Sequence, residues 1–297
     1  MRPSYLNLAL ESLLKKKEDL LAMLSRCNLC LRSCGVDRIK DERGECQTGR
    51  KPIVSSYGPH FGEEPVLVGR YGSGTIFFSG CNLKCKFCQN YQISQLVMGR
   101  ELTASELATI MCDLQKMGCH NINLVSPTHV SPQIVEALVI AIREGLSLPI
   151  VYNTGGYDSL RTLHILDSIV DIYMPDAKYG DDRIGEILSG IRNYWQVNKR
   201  ALIEMHQQVG DLVVKDGIAQ RGLLIRHLVL PGGLAQSETV LRFIAEEISR
   251  ESYVNIMDQY RPCYLADQDP GLARRLTREE FMKVVNFARS IGLHRGL

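Results

Sequence analysis

The chain has 297 residues, 45% of them hydrophobic and 23% charged, with a formal net charge of +2. This length suits one large α/β domain, alone or with a small appendage, and the apolar and charged fractions are those of a globular protein. The near-neutral charge gives no case for nucleic acid or a membrane surface as partner, and no apolar run approaches a transmembrane span. Ten cysteines are many for a chain with no export signal. Disulfides are disfavoured there, so clustered cysteines read as metal ligands of a cytoplasmic protein.

Residues 5–25 predict a helix, with Leu6, Leu10, Leu13, Leu14, Leu20, Leu21 and Leu24 partly at helical spacing. Lys15-Lys16-Lys17-Glu18-Asp19 interrupts its apolar run. It therefore reads as a helix packed on the main domain, neither signal peptide nor anchor. Cys27, Cys30, Cys34 and Cys46 follow at C-x2-C-x3-C-x11-C, with Gly35 and Gly44 suited to tight turns. Four thiolates at these gaps can complete a structural zinc site or hold a second iron–sulfur cluster; buried free thiols are the plainer alternative. Residues 1–57 are taken as this helical, cysteine-rich appendage and 58–297 as the main domain. Residues 47–73 read as loop-rich with short strands. Gly69-Arg70-Tyr71-Gly72-Ser73-Gly74 is glycine-dense, but it lacks the Lys-Ser/Thr and the following helix of a phosphate loop, and reads as a turn.

Strand one, 75–79, runs through Gly80 into Cys81-Asn82-Leu83-Lys84-Cys85-Lys86-Phe87-Cys88. Three cysteines at C-x3-C-x2-C on one tight loop can hold three irons of a [4Fe-4S] cube, because soft thiolates suit iron–sulfur clusters. The spacing alone also allows zinc. In a cube the fourth iron has no local cysteine and stays open to a ligand, to which Phe87 can offer an aromatic face. The stretch from Gly74 to Asn90, including Cys88-Gln89-Asn90, resembles the radical S-adenosylmethionine (radical SAM) superfamily. Within it, the stretch is similar to pyruvate formate-lyase activating enzymes and their homologues. The resemblance implies that the open iron chelates the amino and carboxylate groups of SAM, and that an electron from the reduced cluster releases a 5'-deoxyadenosyl radical.

Strands and helices alternate from residue 75 onward. A helix at 103–117 starts with Thr103 and Glu106 as a capping box. Strand two is 121–125, and Ser131-Pro132 opens the next helix with serine as cap and proline in the first turn. Strand three is 149–154, a helix lies near 159–168, and strand four is 170–174. Helix in two pieces spans 182–209. Strand five is 223–230, a helix lies near 238–249, and strand six is 253–257. The last helix starts at Thr277, with Glu280 completing another capping box. Six β–α repeats predict a parallel sheet with right-handed crossovers, and the resemblance sharpens this to a partial (β/α)6 radical SAM barrel.

The strand ends are polar: Ser126-Pro127-Thr128-His129, Asn153-Thr154-Gly155-Gly156, Met174-Pro175-Asp176-Ala177-Lys178, Arg226, and Asp258-Gln259-Tyr260-Arg261. Such groups converging on one mouth can orient a zwitterionic cofactor with a ribose. The expected cofactor contacts are Phe87, Gln89, Ser126, Thr128, Asn153, Thr154, Asp176, Lys178 and Arg226. The resemblance implies that Asp176 meets the ribose or a cation, and Lys178 the SAM carboxylate or the cleft. It implies a monovalent-cation site near Thr154, Met174 and Asp176, and likens Arg226 to the family's strand-five arginine. The family's Gly-Gly-Glu after strand two is replaced by Ser126-Pro127-Thr128-His129, so the SAM amino group needs a different contact. The leading functional expectation is hydrogen abstraction from a glycine of a partner glycyl radical enzyme, with a low-potential donor such as flavodoxin or ferredoxin. Radical modification of a small molecule or another peptide is one alternative, and a non-catalytic iron–sulfur electron carrier is another.

Overall fold

The computed structural model describes residues 1–297. Helix α1 (Leu10–Ala22) turns Leu13 and Leu20, seven residues apart, into the core. Strands β1 (Ile53–His60) and β2 (Ser73–Phe78), joined through the single turn α2 (Pro65–Val68), form an antiparallel pair. The cysteine loop follows β2, then α3 (Tyr91–Ser94) and the two-residue β3 (Arg100–Glu101), which pairs with β1. Regular alternation comes next: α4 (Ala104–Lys116), β4 (Ile122–Val125), α5 (Ser131–Arg143), β5 (Ile150–Thr154), α6 (Leu160–Leu166) and β6 (Ile172–Pro175). Helices α7 (Asp182–Ser189) and α8 (Tyr194–Val209) lead to the hairpin of β7 (Val213–Lys215) and β8 (Ile218–Leu228). Helix α9 (Ser237–Phe243), β9 (Tyr253–Met257) and α10 (Arg278–Ser290) complete the chain.

Strands β2, β4, β5, β6, β8 and β9 pair in parallel, each beside the next. Strands β1 and β3 extend the β2 edge, while β9 pairs with β8, so the barrel is open between its two ends. Helices cover the outer face, which leaves β5 and β6 buried along their whole length. No helix is long and apolar enough to cross a membrane.

Both expected capping boxes are present, at Thr103/Glu106 and Thr277/Glu280. Ser131 is not a cap: Val130 holds the N-cap position, and the Ser131 hydroxyl donates back to the carbonyls of Pro127 and Thr128 and meets Tyr152 Oη at 3.2 Å. The region 47–73, read as loop-rich, contains the eight-residue β1; its Gly58-Pro59 is tolerated because the strand lies near the sheet edge. Strand five begins earlier than expected, because Asp216 and Gly217 both take positive φ and close a two-residue hairpin.

The expected boundary at 57/58 falls inside β1, and the N-terminal segment shares the central core: Tyr5, Leu13, Leu20, Leu24 and Leu29 belong to the same cluster as Ile76, Leu124 and Tyr152. Leu20 is fully buried. Leu20→Ala should therefore lower stability by about 2–5 kcal/mol in one cooperative transition of the whole chain, read by chemical denaturation. A separate early transition of the N-terminal segment would contradict this shared core.

Candidate active site

The cysteine loop is placed by a turn that only glycine allows. Gly80 has φ +83°, and a Cβ there would come 2.3 Å from the carbonyl oxygen of Cys46. Beyond it, the Leu83 N–H donates to Cys81 Sγ at 3.3 Å, Cys85 Sγ lies 2.9 Å from Ser189 Oγ, and Cys88 Sγ lies 3.1 Å from Ser94 Oγ. The end of α7 fixes the loop from outside, its Ser189 and Leu188 carbonyls accepting from the Lys84 and Lys86 N–H groups. Burial pushes the Cys81 thiol up to about 12. It raises Cys85 as well, against the pull of the Lys178 cation. Thiols so enclosed give up their protons to a metal rather than to solvent.

The donor set suits a cluster. Three soft thiolates are the ligand type that iron–sulfur clusters take. Cys81, Cys85 and Cys88 reach one cavity of about 150 Å³ from a single loop, with no fourth thiol on that cavity.

Ser126, Asn153, Asp176, Lys178 and Arg226 line the same cavity, as does Asn90. They come from the C-terminal ends of β4, β5, β6 and β8, where a parallel barrel gathers its reactive groups. Arg226 donates through Nε to Asp176 Oδ1 at 3.0 Å and through Nη2 to Asn153 Oδ1 at 2.7 Å. Lys178 Nζ takes the other Asp176 oxygen. Burial works to raise the Asp176 carboxyl, but the Lys178 and Arg226 cations outweigh it and hold the group below its usual range. Burial likewise opposes the charge on Lys178, and Asp176 restores it. Asp176, read as a ribose or cation ligand, thus has both oxygens already engaged by side-chain cations.

Four expected contacts stand off the cavity. Phe87 is buried against Tyr179 and Tyr260 in edge-to-face pairs, with ring centroids 6.4 and 5.9 Å away, and does not line the cavity. Gln89 is exposed and donates to the Gln259 carbonyl at 3.0 Å, which ties the loop to the chain after β9. Thr128 and Thr154 are 2.9 Å apart and both donate to the buried Asp158, at 2.8 and 2.7 Å. Met174 lies in an apolar cluster with Val151, Ile172 and Leu224. After β9, Tyr260 is buried, its hydroxyl donating to the Leu272 carbonyl at 2.6 Å.

Sequence reading missed an acidic floor. Glu63 and Glu64, before α2, approach Arg226 Nη1 at 4.0 and 3.9 Å, and Asn255 donates to Glu64 at 3.0 Å. Burial raises Glu63 to about 7, Glu64 and Asp176 add to the rise, and Arg226 opposes it. The paired carboxylates before Pro65 were the available signal. The N-terminal cysteines also converge: Cys27, Cys30, Cys34 and Cys46 line one small enclosed space with Arg32, Arg38, Asn82 and His129. Burial raises Cys30 to about 12 against a hydrogen bond from the Arg32 backbone N–H, and Cys46, Cys27 and Cys34 add to the rise. Cys112 and Cys119 are buried singles.

The sequence pattern of the Radical SAM superfamily matches residues 75–231, more than half of the chain, and the chain belongs to that superfamily. The chain is 34% identical over 280 residues to an uncharacterized protein of Methanocaldococcus jannaschii, covering 91% of this chain and 76% of that one. A second uncharacterized protein of the same organism is 24% identical over 289 residues, covering 88% and 80%. Among solved structures, a radical SAM methyltransferase from Sphaerobacter thermophilus is similar in fold, with TM-score 0.52, 16% identity, and coverage of 75% of this chain and 65% of that one. Native anSMEcpe with bound AdoMet and Cp18Cys peptide gives TM-score 0.51 and 12% identity, over 71% of this chain and 56% of that one. The chain thus spans about two thirds or less of those two structures' own length, and at this identity the likeness is one of fold.

Glu63 yields a pH signature. Its carboxyl holds a proton more tightly folded than unfolded, so its contribution to stability is present at low pH and falls as pH rises from the ordinary 4.5 through about 7. Glu63→Gln should remove that component, up to about 3 kcal/mol. Denaturation midpoints of both proteins across this range test it; parallel curves would contradict it.

Proposed function

We propose that this chain is a radical SAM enzyme that reductively cleaves S-adenosylmethionine at Cys81, Cys85 and Cys88 and abstracts hydrogen from a glycine of a partner protein. One observation carries the reading: three thiols without a local fourth share a cavity with a buried Asp176–Lys178–Arg226 network. A non-catalytic electron carrier has no use for such a costly network beside its sulfurs. Cys81, Cys85 and Cys88 would hold a [4Fe-4S] cluster, which would supply the electron for reductive cleavage of SAM.

The chain's own groups bind, orient and insulate. The Leu83 N–H and the Ser189 and Ser94 hydroxyls sit at hydrogen-bond distance from the three sulfurs and tune their electron density. Lys178 presents a permanent cation to a carboxylate entering the cavity. Ser126 and Asn153 offer a hydroxyl and an amide to the amino acid or ribose part, in place of the family's Gly-Gly-Glu. The surrounding tyrosines, Tyr157, Tyr179 and Tyr194, keep the loop dry on its inner side. The partner-glycine assignment rests on the likeness of residues 74–90 to glycyl radical activating enzymes, with flavodoxin or ferredoxin as electron source. A small-molecule or other peptide substrate is the second reading, favoured by Ser126-Pro127 standing where those enzymes carry Gly-Gly-Glu.

Protein reconstituted anaerobically and reduced with dithionite should release 5'-deoxyadenosine from SAM, and Cys85→Ala should abolish that release. Lys178→Ala should raise the KM for SAM, an expected loss of about tenfold or more in kcat/KM for a desolvated charge contact. SAM turnover unchanged in Cys85→Ala would sink the reading.

A further inference from the structure

We propose that Cys27, Cys30, Cys34 and Cys46 hold a second, fully cysteine-ligated [4Fe-4S] cluster that passes one electron to the Cys81–Cys88 loop. All four side chains line one enclosed void, with Arg32 and Asn82 in its wall. Cys46 reaches the other three because Gly44 lies against Cys34: a Cβ on Gly44 would meet Cys34 Cβ and Sγ at 2.8 Å.

Four thiolates around one small void suit either zinc or a [4Fe-4S] cluster. The place of the void against the Cys81–Cys88 loop favours the redox-active cluster.

Charge calls for an anionic metal–thiolate centre in this void. Arg38 is 1% exposed and has no carboxylate within ion-pair distance. Its guanidinium donates to the Gly49 and His129 carbonyls and reaches Cys27 Sγ at 3.8 Å. Arg32 has Glu45 at 3.9 Å from its Nη1, so Arg38 is the cation left without a carboxylate. A buried cation needs a counter-charge. A cube with four thiolates is anionic in both one-electron states, and supplies it.

The void adjoins the first site. Arg32 Nε donates to the carbonyl of Asn82, the residue after Cys81, at 2.7 Å. The Cys46 carbonyl packs on Gly80, the residue before Cys81. One electron from a low-potential flavin or iron–sulfur donor enters at the N-terminal site and leaves to the neighbouring loop. No bond forms or breaks and no proton moves. The relay rests on the radical chemistry proposed above, whereas the metal content does not.

The test uses the full chain, reconstituted anaerobically with iron and sulfide. Three proteins are compared: wild type, Cys30→Ser/Cys34→Ser, and Cys81→Ala/Cys85→Ala/Cys88→Ala. Wild type should carry about eight irons and eight sulfides, and each variant about four. The dithionite-reduced electron paramagnetic resonance signal should shift on adding SAM in the Cys30/Cys34 variant and stay unchanged in the triple variant. The triple variant leaves the N-terminal site intact, so its count does not depend on the other variant folding. A triple variant with about one zinc and no iron, or with no metal, overturns the second cluster. For the relay, reduction of the remaining cluster by reduced flavodoxin should be lost in the Cys30/Cys34 variant while dithionite still reduces it; equal reduction by flavodoxin overturns the relay. If wild type releases no 5'-deoxyadenosine with dithionite, the radical reading fails while the metal counts still decide the second site.

Discussion

Arg226 reaches from β8 to Asp176 behind β6 and to Asn153 on β5, so one guanidinium sets the spacing of three strand ends. The backbone reinforces it, because the Ala177 N–H donates to the Arg226 carbonyl at 2.8 Å. A carboxylate this deep is tolerable only with cations beside it. Lys178 and Arg226 provide two, and Glu63 and Glu64 offset the surplus positive charge from below. The mouth of the barrel is therefore a fixed electrostatic frame, and the cysteine loop is hung on its rim.

The two faces of the sheet divide the work. Outside, α4, α5 and α8 bury leucine, isoleucine and methionine against the strands. Inside, Asn123, Asn153, Asn255 and the acids beneath Arg226 make a polar lining. Stability comes mainly from the first layer, by removal of apolar area from water. Chemistry is left to the second, where each polar atom without a partner, such as Asn123 Oδ1 and Glu64 Oε2, is held in place by neighbours rather than by its own bond.

What the sequence made legible was local. The six parallel strands, both threonine–glutamate caps and the cysteine loop each depend on residues within a few positions of one another. Strand ends lining the mouth followed from the β–α order, and Ser126, Asn153, Asp176, Lys178 and Arg226 do meet there. Direction was not legible. Phe87 stands one position from Cys88, but Tyr179 and Tyr260 decide which way its ring faces, and both arrive from distant segments. Thr128 and Thr154 looked like mouth residues until Asp158, a loop residue behind them, drew both hydroxyls inward. Glu63 sits in a segment that reads as loop, and it becomes part of the site only because β1 folds back onto the sheet.

Strand β1 also has a consequence for the protein in crowded solution. Its outer side pairs with β3 only at Ile53 and Val54, which leaves the rest of that edge without a ladder partner. An open edge is a template on which a second chain can add a strand. Gly58 and Pro59 stand in that stretch, one weakening extended pairing and the other lacking an N–H, so a foreign strand finds no continuous row of donors to follow. Gly58-Pro59 thus acts as the guard of β1 against aggregation.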